Sequence, residues 1–379
     1  MPGIAYGVIV DGRVAHLGVR GVREVAADAS PAAPEGAPVE RDTVFRIASY
    51  SNYGYAILGR IVANVSGMPY SSYLRERILL PLGMTVTTLE AAAVPPARLA
   101  HGYRLRDGAW LEEPQLPDGA FGPMGGMLTS IHDLALWVAY LLDAYPARNG
   151  EDEGPLRRSS RREMQQIGRY NGATTALDDD GELSLSSGGY GYGLGVRQSC
   201  LFQTTVAHSG GLPGFGSLMR WLPDHGVGIV ALGNLTYTGW SAVVDQAFEA
   251  LAASGALQPR AAQPAPVLLT RRDEVARLIV ESDDALADSL AAMNLFRDEP
   301  AERRRAAIEK VRDEAGGDCR SEEPFVAENA LRGRWRMRCS KGDLRVRITL
   351  APTEPAQVQW LEVQPMRAEE SLEPPPACR

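Results

Sequence analysis

Two tight-turn signals constrain this chain more than any other feature. Residues 4–10 are apolar, Asp11-Gly12 follows, and residues 13–19 return as a second extended run. Asp-Gly between two such runs is a strong hairpin signal. Further along, Pro223-Asp224-His225-Gly226 separates the runs 215–222 and 227–233, with two earlier strand candidates at 192–197 and 202–208. Hairpins join antiparallel neighbours, so the expected sheet is antiparallel, and a parallel sheet built on βαβ crossovers would overturn this reading. Between these strands the apolar spacing turns helical. Ile57, Leu58, Ile61, Val62 and Val65 share one face of a helix from Tyr53 that Gly67 stops. A second helix is expected over 70–79, ending at Pro81-Leu82-Gly83-Met84, and a last one over 240–253. Ser130 and Asp133 form a capping box for a helix to about Leu142, the role assigned to Asp133. The predicted fold class is α+β: an antiparallel sheet flanked by helices, with a small C-terminal α+β domain.

The remaining segments set the domain plan. Asp42 to Ala48 reads as a short strand, Gly122 to Met127 as a bend, and residues 25–40 and 148–190 as loop-rich. Gln258 to Pro266 holds three prolines, which marks a boundary. The expected division is residues 1–255, a linker at 256–267, and residues 268–379 with helices over 268–316 and strands near 331–339, 343–350 and 357–364. In 332–339 the arginines alternate with Trp335, Met337 and Cys339, so the arginines share one strand face. The expected role of that face is a solvated surface over a small core, since a net charge of −8 argues against nucleic-acid binding by bulk electrostatics.

Other classes fall away on inspection. No run of 18 apolar residues is present, so no membrane span is expected. The first residues show no basic region and no cleavage site, which predicts a cytoplasmic protein. Cys200, Cys319, Cys339 and Cys378 form no C-x-x-C pair, and no metal or cofactor is expected. Cys319 and Cys339 pair in an oxidising compartment and stay thiols in a reducing one. His16, His101, His132 and His225 stand alone in sequence and read as surface or core groups. No G-x-S-x-G occurs, which removes the α/β-hydrolase elbow, and Gly189 to Gly193 lacks the spacing of a dinucleotide loop.

What remains is His208-Ser209-Gly210-Gly211, placed between two strands. It offers an imidazole, a hydroxyl and unencumbered backbone N–H groups at one edge, suited to a carbonyl or carboxylate. Upstream, Asp42-Thr43-Val44-Phe45-Arg46-Ile47-Ala48-Ser49 runs straight into Tyr50-Ser51-Asn52. With Pro81-Leu82-Gly83-Met84, Gly125-Gly126-Met127 and Tyr192-Gly193-Leu194-Gly195 in the same order, these segments resemble the serine β-lactamase-related hydrolases. That group includes class C β-lactamases, D-Ala-D-Ala peptidases and esterases, often periplasmic or secreted. The resemblance covers about residues 3–255. It implies an acyl-enzyme reaction on a small ester, amide or peptide substrate. Ser49 would be the nucleophile, Tyr50 a proton shuttle, and Asn52 with Ser209, Gly210 and Gly211 would hold the substrate, His208 lining the opposite edge. It specifies no oligomeric state.

The chain departs from that pattern at its reactive centre. The family's first motif is Ser-x-x-Lys, and here Asn52 stands in the Lys position. Tyr50-Ser51-Asn52 is also the second motif, which normally lies tens of residues downstream. The basic residues are 37 Arg and two Lys, Lys310 and Lys341, so residues 1–309 contain no substitute lysine. Two explanations fit: a deletion between Ser49 and Tyr50, in the gene or in its assembly, or a protein evolved to work without the lysine. The function expected is an impaired serine hydrolase, the alternative being a non-catalytic hydrolase-fold binding protein or a defective gene product.

Overall fold

The computed structural model describes all residues except 28, 49–52, 116–121, 149, 178–180, 182, 368 and 374–379. It contains two compact units, Met1–Tyr145 with Asp152–Arg260, and Pro146–Glu151 with Ala261–Arg379.

The first unit is built on one nine-stranded antiparallel sheet. Its strands are β1 (Gly3–Val10), β2 (Arg13–Val25), β3 (Gly36–Pro38), β8 (Arg169–Leu177), β9 (Leu183–Tyr190), β10 (Gly195–Ser199), β11 (Gln203–Leu212), β12 (Phe215–Leu222) and β13 (Val227–Gly233), in the order β3-β2-β1-β13-β12-β11-β10-β9-β8. Four short strands lie outside it: β4 (Val44–Ile47) pairs with β7 (Met127–Ser130), and β5 (Tyr103–Arg106) with β6 (Ala109–Glu112). Both hairpins expected from the turns form. At the first, Asp11 and Gly12 take φ of 48° and 71°, the left-handed pair that a two-residue hairpin requires. The register then closes β1 onto β13, from Ile4 opposite Gly233 to Val10 opposite Val227.

Helices are α1 (Tyr53–Ser66), α2 (Tyr70–Leu74), α3 (Gly122–Gly125), α4 (Ile131–Leu142), α5 (Arg158–Met164) and α6 (Ser241–Ala253). Helix α4 is the keystone of the core. Its Ile131, Ala135, Val138 and Leu142 are buried in one cluster with Ala5 and Ile9 of β1, Trp221 of β12 and Val230 of β13. Burial of such aliphatic side chains is worth about 1.5–3 kcal/mol each. A second cluster joins Val244 and Phe248 of α6 to Phe202, Leu218 and Leu222. Ser130 Oγ accepts from the Asp133 N–H at 3.2 Å, so the predicted cap is present. Asp133 does more than cap: its carboxylate accepts from Val86 N–H (3.0 Å), Thr87 N–H (2.9 Å) and Thr87 Oγ1 (2.8 Å), tying the segment after α2 to α4.

Three expectations need correction. The 25–40 segment contains the edge strand β3. The 148–190 segment contains α5 and the β8–β9 hairpin; β8 is exposed along almost its whole length, so it lacks the apolar alternation that marks a strand. The apolar stripe of α1 is not covered: Ile57, Leu58, Ile61 and Val65 are 49–84% exposed. The helix is seated through Gly59, its one buried residue, against Pro123.

The second unit is a four-stranded antiparallel meander, β14 (Arg320–Asn329), β15 (Arg332–Arg338), β16 (Asp343–Leu350) and β17 (Val358–Met366), packed by α7 (Pro266–Glu281), α8 (Asp284–Leu290), α9 (Leu295–Asp298) and α10 (Ala301–Glu314). Strand β14 was not expected; its polar residues and two register shifts obscure the pattern. Trp335, Met337, Leu344, Val346 and Ile348 form the buried face with Val275, Ile279 and Leu290. On the other face the register sets Arg334 opposite Arg347 and Arg336 opposite Arg345. Like charges so placed repel, and carboxylates neutralise them: Glu328 lies 3.8 Å from Arg334 and 2.6 Å from Arg347, and Asp343 lies 3.4 Å from Arg336. Glu370 pairs with Arg345. The arginine stripe is therefore a paired network. Cys319, just before β14, and Cys339, just after β15, are joined in a disulfide.

Candidate active site

The candidate site lies where β11 meets the end of β4. Alternation along β11 puts His208 and Gly210 on one face of the sheet and Ser209 and Gly211 on the other. His208 and Gly210 line a cavity of about 220 Å³ together with Ala48, Tyr55, Tyr70 and Ser217. Ser209, an exposed residue, and Gly211 are not part of that lining. Ser49, Tyr50 and Asn52, the other expected site residues, lie outside the described residues.

Glycine at 210 is required by contact. A Cβ there would lie 2.3 Å from the Ala48 carbonyl oxygen and 2.9 Å from Ser217 Oγ. The chain at the end of β4 therefore abuts the His208 strand directly. Ala48 is the residue before Ser49, so the sequence enters its first motif at this contact. Ser217, opposite Gly210 on β12, donates its hydroxyl to the Gly210 carbonyl at 3.4 Å.

Electrostatically the cavity is weakly charged. Burial holds the His208 imidazole below the ordinary histidine value, which favours the neutral, proton-accepting form. Burial also raises Tyr70. Tyr55 is pushed up to about 12, by burial first and then by Tyr190, with which it shares a hydrogen bond. A phenol so raised stays protonated at neutral pH and does not serve as a phenolate base. Among the ionisable lining groups, His208 is thus the one suited to accept a proton near pH 7.

Sequence reasoning missed Tyr55, Tyr70 and Ser217. Tyr55 sits in the first turn of α1, where it reads as part of the helical pattern, and Ser217 follows Gly216 in a strand; both reach the cavity through tertiary packing alone. Of the lone histidines, His101 has Nδ1 2.8 Å from Glu112 Oε1. His225 is buried, with Nδ1 unpartnered. No group of three or more His, Cys, Asp or Glu residues among the described residues could hold a metal ion. No helix among them is long and apolar enough to cross a membrane.

The beta-lactamase family model matches residues 48–254, beginning one residue before Ser49. This chain belongs to the beta-lactamase family, and its mixed α+β architecture with an antiparallel sheet and flanking helices is of that kind. It is similar to Protein flp of Staphylococcus aureus, 28% identical over 190 residues, covering 49% of this chain and 33% of that protein. Penicillin-binding protein 4* of Bacillus subtilis is 26% identical over 197 residues, covering 49% of this chain and 39% of that protein. The chain thus matches only between a third and two fifths of the length of these relatives. Among solved structures, a class C beta-lactamase aligns with a TM-score of 0.47 at 13% identity, over 64% of this chain and 89% of that one.

Proposed function

We propose that the chain is a serine hydrolase of the beta-lactamase family whose chemistry is weakened by loss of the motif lysine. The observation that carries this reading is the absence of any lysine in residues 1–309 beside an otherwise ordered set of family motifs. Ser49 attacks the carbonyl of a small ester, amide or β-lactam and its proton passes to a base. The carbonyl–leaving-group bond breaks, the leaving group takes the proton, and water then hydrolyses the acyl-enzyme. Backbone N–H groups of Ser49 and Gly211 serve the oxyanion. Asn52 and Gly210 shape the substrate edge; Ser209, expected there from the sequence, faces the other side of β11 and is exposed.

A hydroxyl is a weak nucleophile without a base. Tyr50 starts from an ordinary phenol value of about 10 and is poorly matched to that task at neutral pH. His208, neutral and in the cavity that Ala48 also lines, is the better candidate. General-base assistance contributes about 10²–10⁴ in rate, so turnover is expected to be weak or absent. The second reading, a non-catalytic binding protein or a defective product, is favoured by one feature. Ser49 and Tyr50 are adjacent, and neighbouring side chains diverge. Nitrophenyl-ester turnover and fluorophosphonate labelling, with Ser49→Ala as control, decide between them. Slow, Ser49-dependent signals support the hydrolase; none at all supports the binding protein.

A further inference from the structure

The cavity lined by His208 and Gly210 continues into a second chamber. This further space has a volume of about 260 Å³, and Ile47, Met127, His208, Ser217 and Met219 line both. The chamber lies between the sheet face that carries His208, helix α4 and the helical turn Arg75–Leu79. Ile78, Met84, Leu134 and Trp137 form its inner walls.

Its chemistry is narrow. Apart from His208, its polar side chains are Thr129 and Ser217, and both are committed elsewhere. Thr129 Oγ1 shares a hydrogen bond of 2.8 Å with Thr87 Oγ1, and Ser217 Oγ donates to the Gly210 carbonyl. Among the described residues, neither lining holds an arginine, lysine, aspartate or glutamate. Residues 49–52, which follow the lining residue Ala48, and 116–121, which precede Gly122, contain no arginine or lysine either. A carboxylate entering this space would give up its water and meet no cation, which is costly. An alkyl group gains in proportion to the apolar area it hides. Penicillins, cephalosporins and D-alanyl peptides carry a carboxylate; simple carboxylic esters do not.

We propose, resting on the hydrolase reading of this site, that the substrate is a neutral ester with an apolar acyl group, its alkyl chain entering the chamber beyond His208 and its carbonyl staying beside Ala48. The Ser49 oxygen bonds to the acyl carbon and the bond from that carbon to the alcohol oxygen breaks. The alcohol leaves with the serine proton, and water then releases the carboxylic acid and restores Ser49. The acid ionises at neutral pH, so the same uncharged lining favours its departure.

The test measures binding and turnover separately. In calorimetric titrations of the full chain, hexanamide is expected to bind saturably at one site, and hexanoate, its charged counterpart, at least tenfold more weakly. In Ser49-dependent nitrophenol release, the hexanoate ester is expected to exceed the acetate ester at least tenfold in kcat/KM. Ile78→Trp fills the chamber from the 75–79 turn and does not line the His208 cavity. It should remove hexanamide binding and bring the ratio of hexanoate to acetate turnover to about one. If that variant does not fold, the comparison of hexanamide with hexanoate on the unaltered chain decides. Hexanamide binding without any Ser49-dependent turnover would support the apolar chamber and overturn the hydrolase reading. No saturable hexanamide binding, equal binding of hexanoate, equal turnover of the two esters, or full hexanamide binding by Ile78→Trp would each overturn this proposal while leaving the hydrolase reading in place.

Discussion

Gly210→Ala probes the contact on which the candidate site depends. The added Cβ would sit 2.3 Å from the Ala48 carbonyl oxygen, where real contacts of this kind are essentially never under 3.0 Å. Neither partner is a flexible side-chain end: one is the backbone leaving β4, the other is the backbone of β11. The strands must separate by most of an ångström, and overpacking of this kind costs about 1–3 kcal/mol. A net stability of about 5–15 kcal/mol makes that a sizeable loss. At roughly 2–4 °C per kcal/mol for a unit of this size, Tm should fall by about 2–12 °C. Gly54→Ala is the control, because nothing lies within 4 Å of a Cβ there and the site is helical, so Tm should hold or rise slightly. The assay is thermal unfolding followed by circular dichroism, with fluorophosphonate labelling of the folded protein at 25 °C. Since Ala48 precedes Ser49, whatever labelling the parent protein shows should drop at least tenfold in Gly210→Ala. Equal Tm values for the two variants would refute the packing argument; a large Tm loss with labelling unchanged would separate Gly210 from the reactive centre.

Three further outcomes are expected. His208 and His225 are both held below the ordinary histidine value, burial being the main cause in each. Their neutral forms favour the fold above the unfolded value of about 6.5, and that contribution is lost as pH falls through the lowered folded values, so Tm should decline between pH 7 and 5 and His225→Phe should flatten the decline. Ile61→Glu, on the uncovered face of α1, should change stability by less than about 0.5 kcal/mol in urea unfolding; a loss of several kcal/mol would show that another segment buries this face. Limited proteolysis should cut first within 256–267, as the proposed domain division requires, and clean resistance there with early cleavage inside 331–364 would count against it.

The sequence disclosed elements whose signals are local. Asp11-Gly12, the Ser130–Asp133 cap and the alternation of Trp335, Met337 and Cys339 each correspond to the geometry found, because a turn, a cap or a pleat is decided by a few adjacent residues. The His208 segment was visible for the same reason. Less was visible where structure depends on distant partners. Strand β8 is exposed on both faces and carries no period. The carboxylate of Asp133 is committed to Thr87 and Val86, more than forty residues earlier, which its capping pattern did not reveal. Tyr55 and Ser217 reach the cavity only after α1 and β12 are placed. The α1 stripe misled in the opposite sense: its spacing is that of a buried helix, yet Ile57, Leu58, Ile61 and Val65 are exposed.

The central claim is that a beta-lactamase-family pocket retains its serine and lacks its base. The most direct measurement is the initial rate of nitrophenyl-ester hydrolysis by the purified chain and by Ser49→Ala, across pH 5 to 9. The account predicts a rate that is low but above that of the Ser49→Ala protein; a rate indistinguishable from it would favour the binding-protein reading. Any residual Ser49-dependent part should grow as His208 loses its proton. Rapid turnover that disappears in Ser49→Ala would contradict it and would show that another group supplies the full work of the missing lysine.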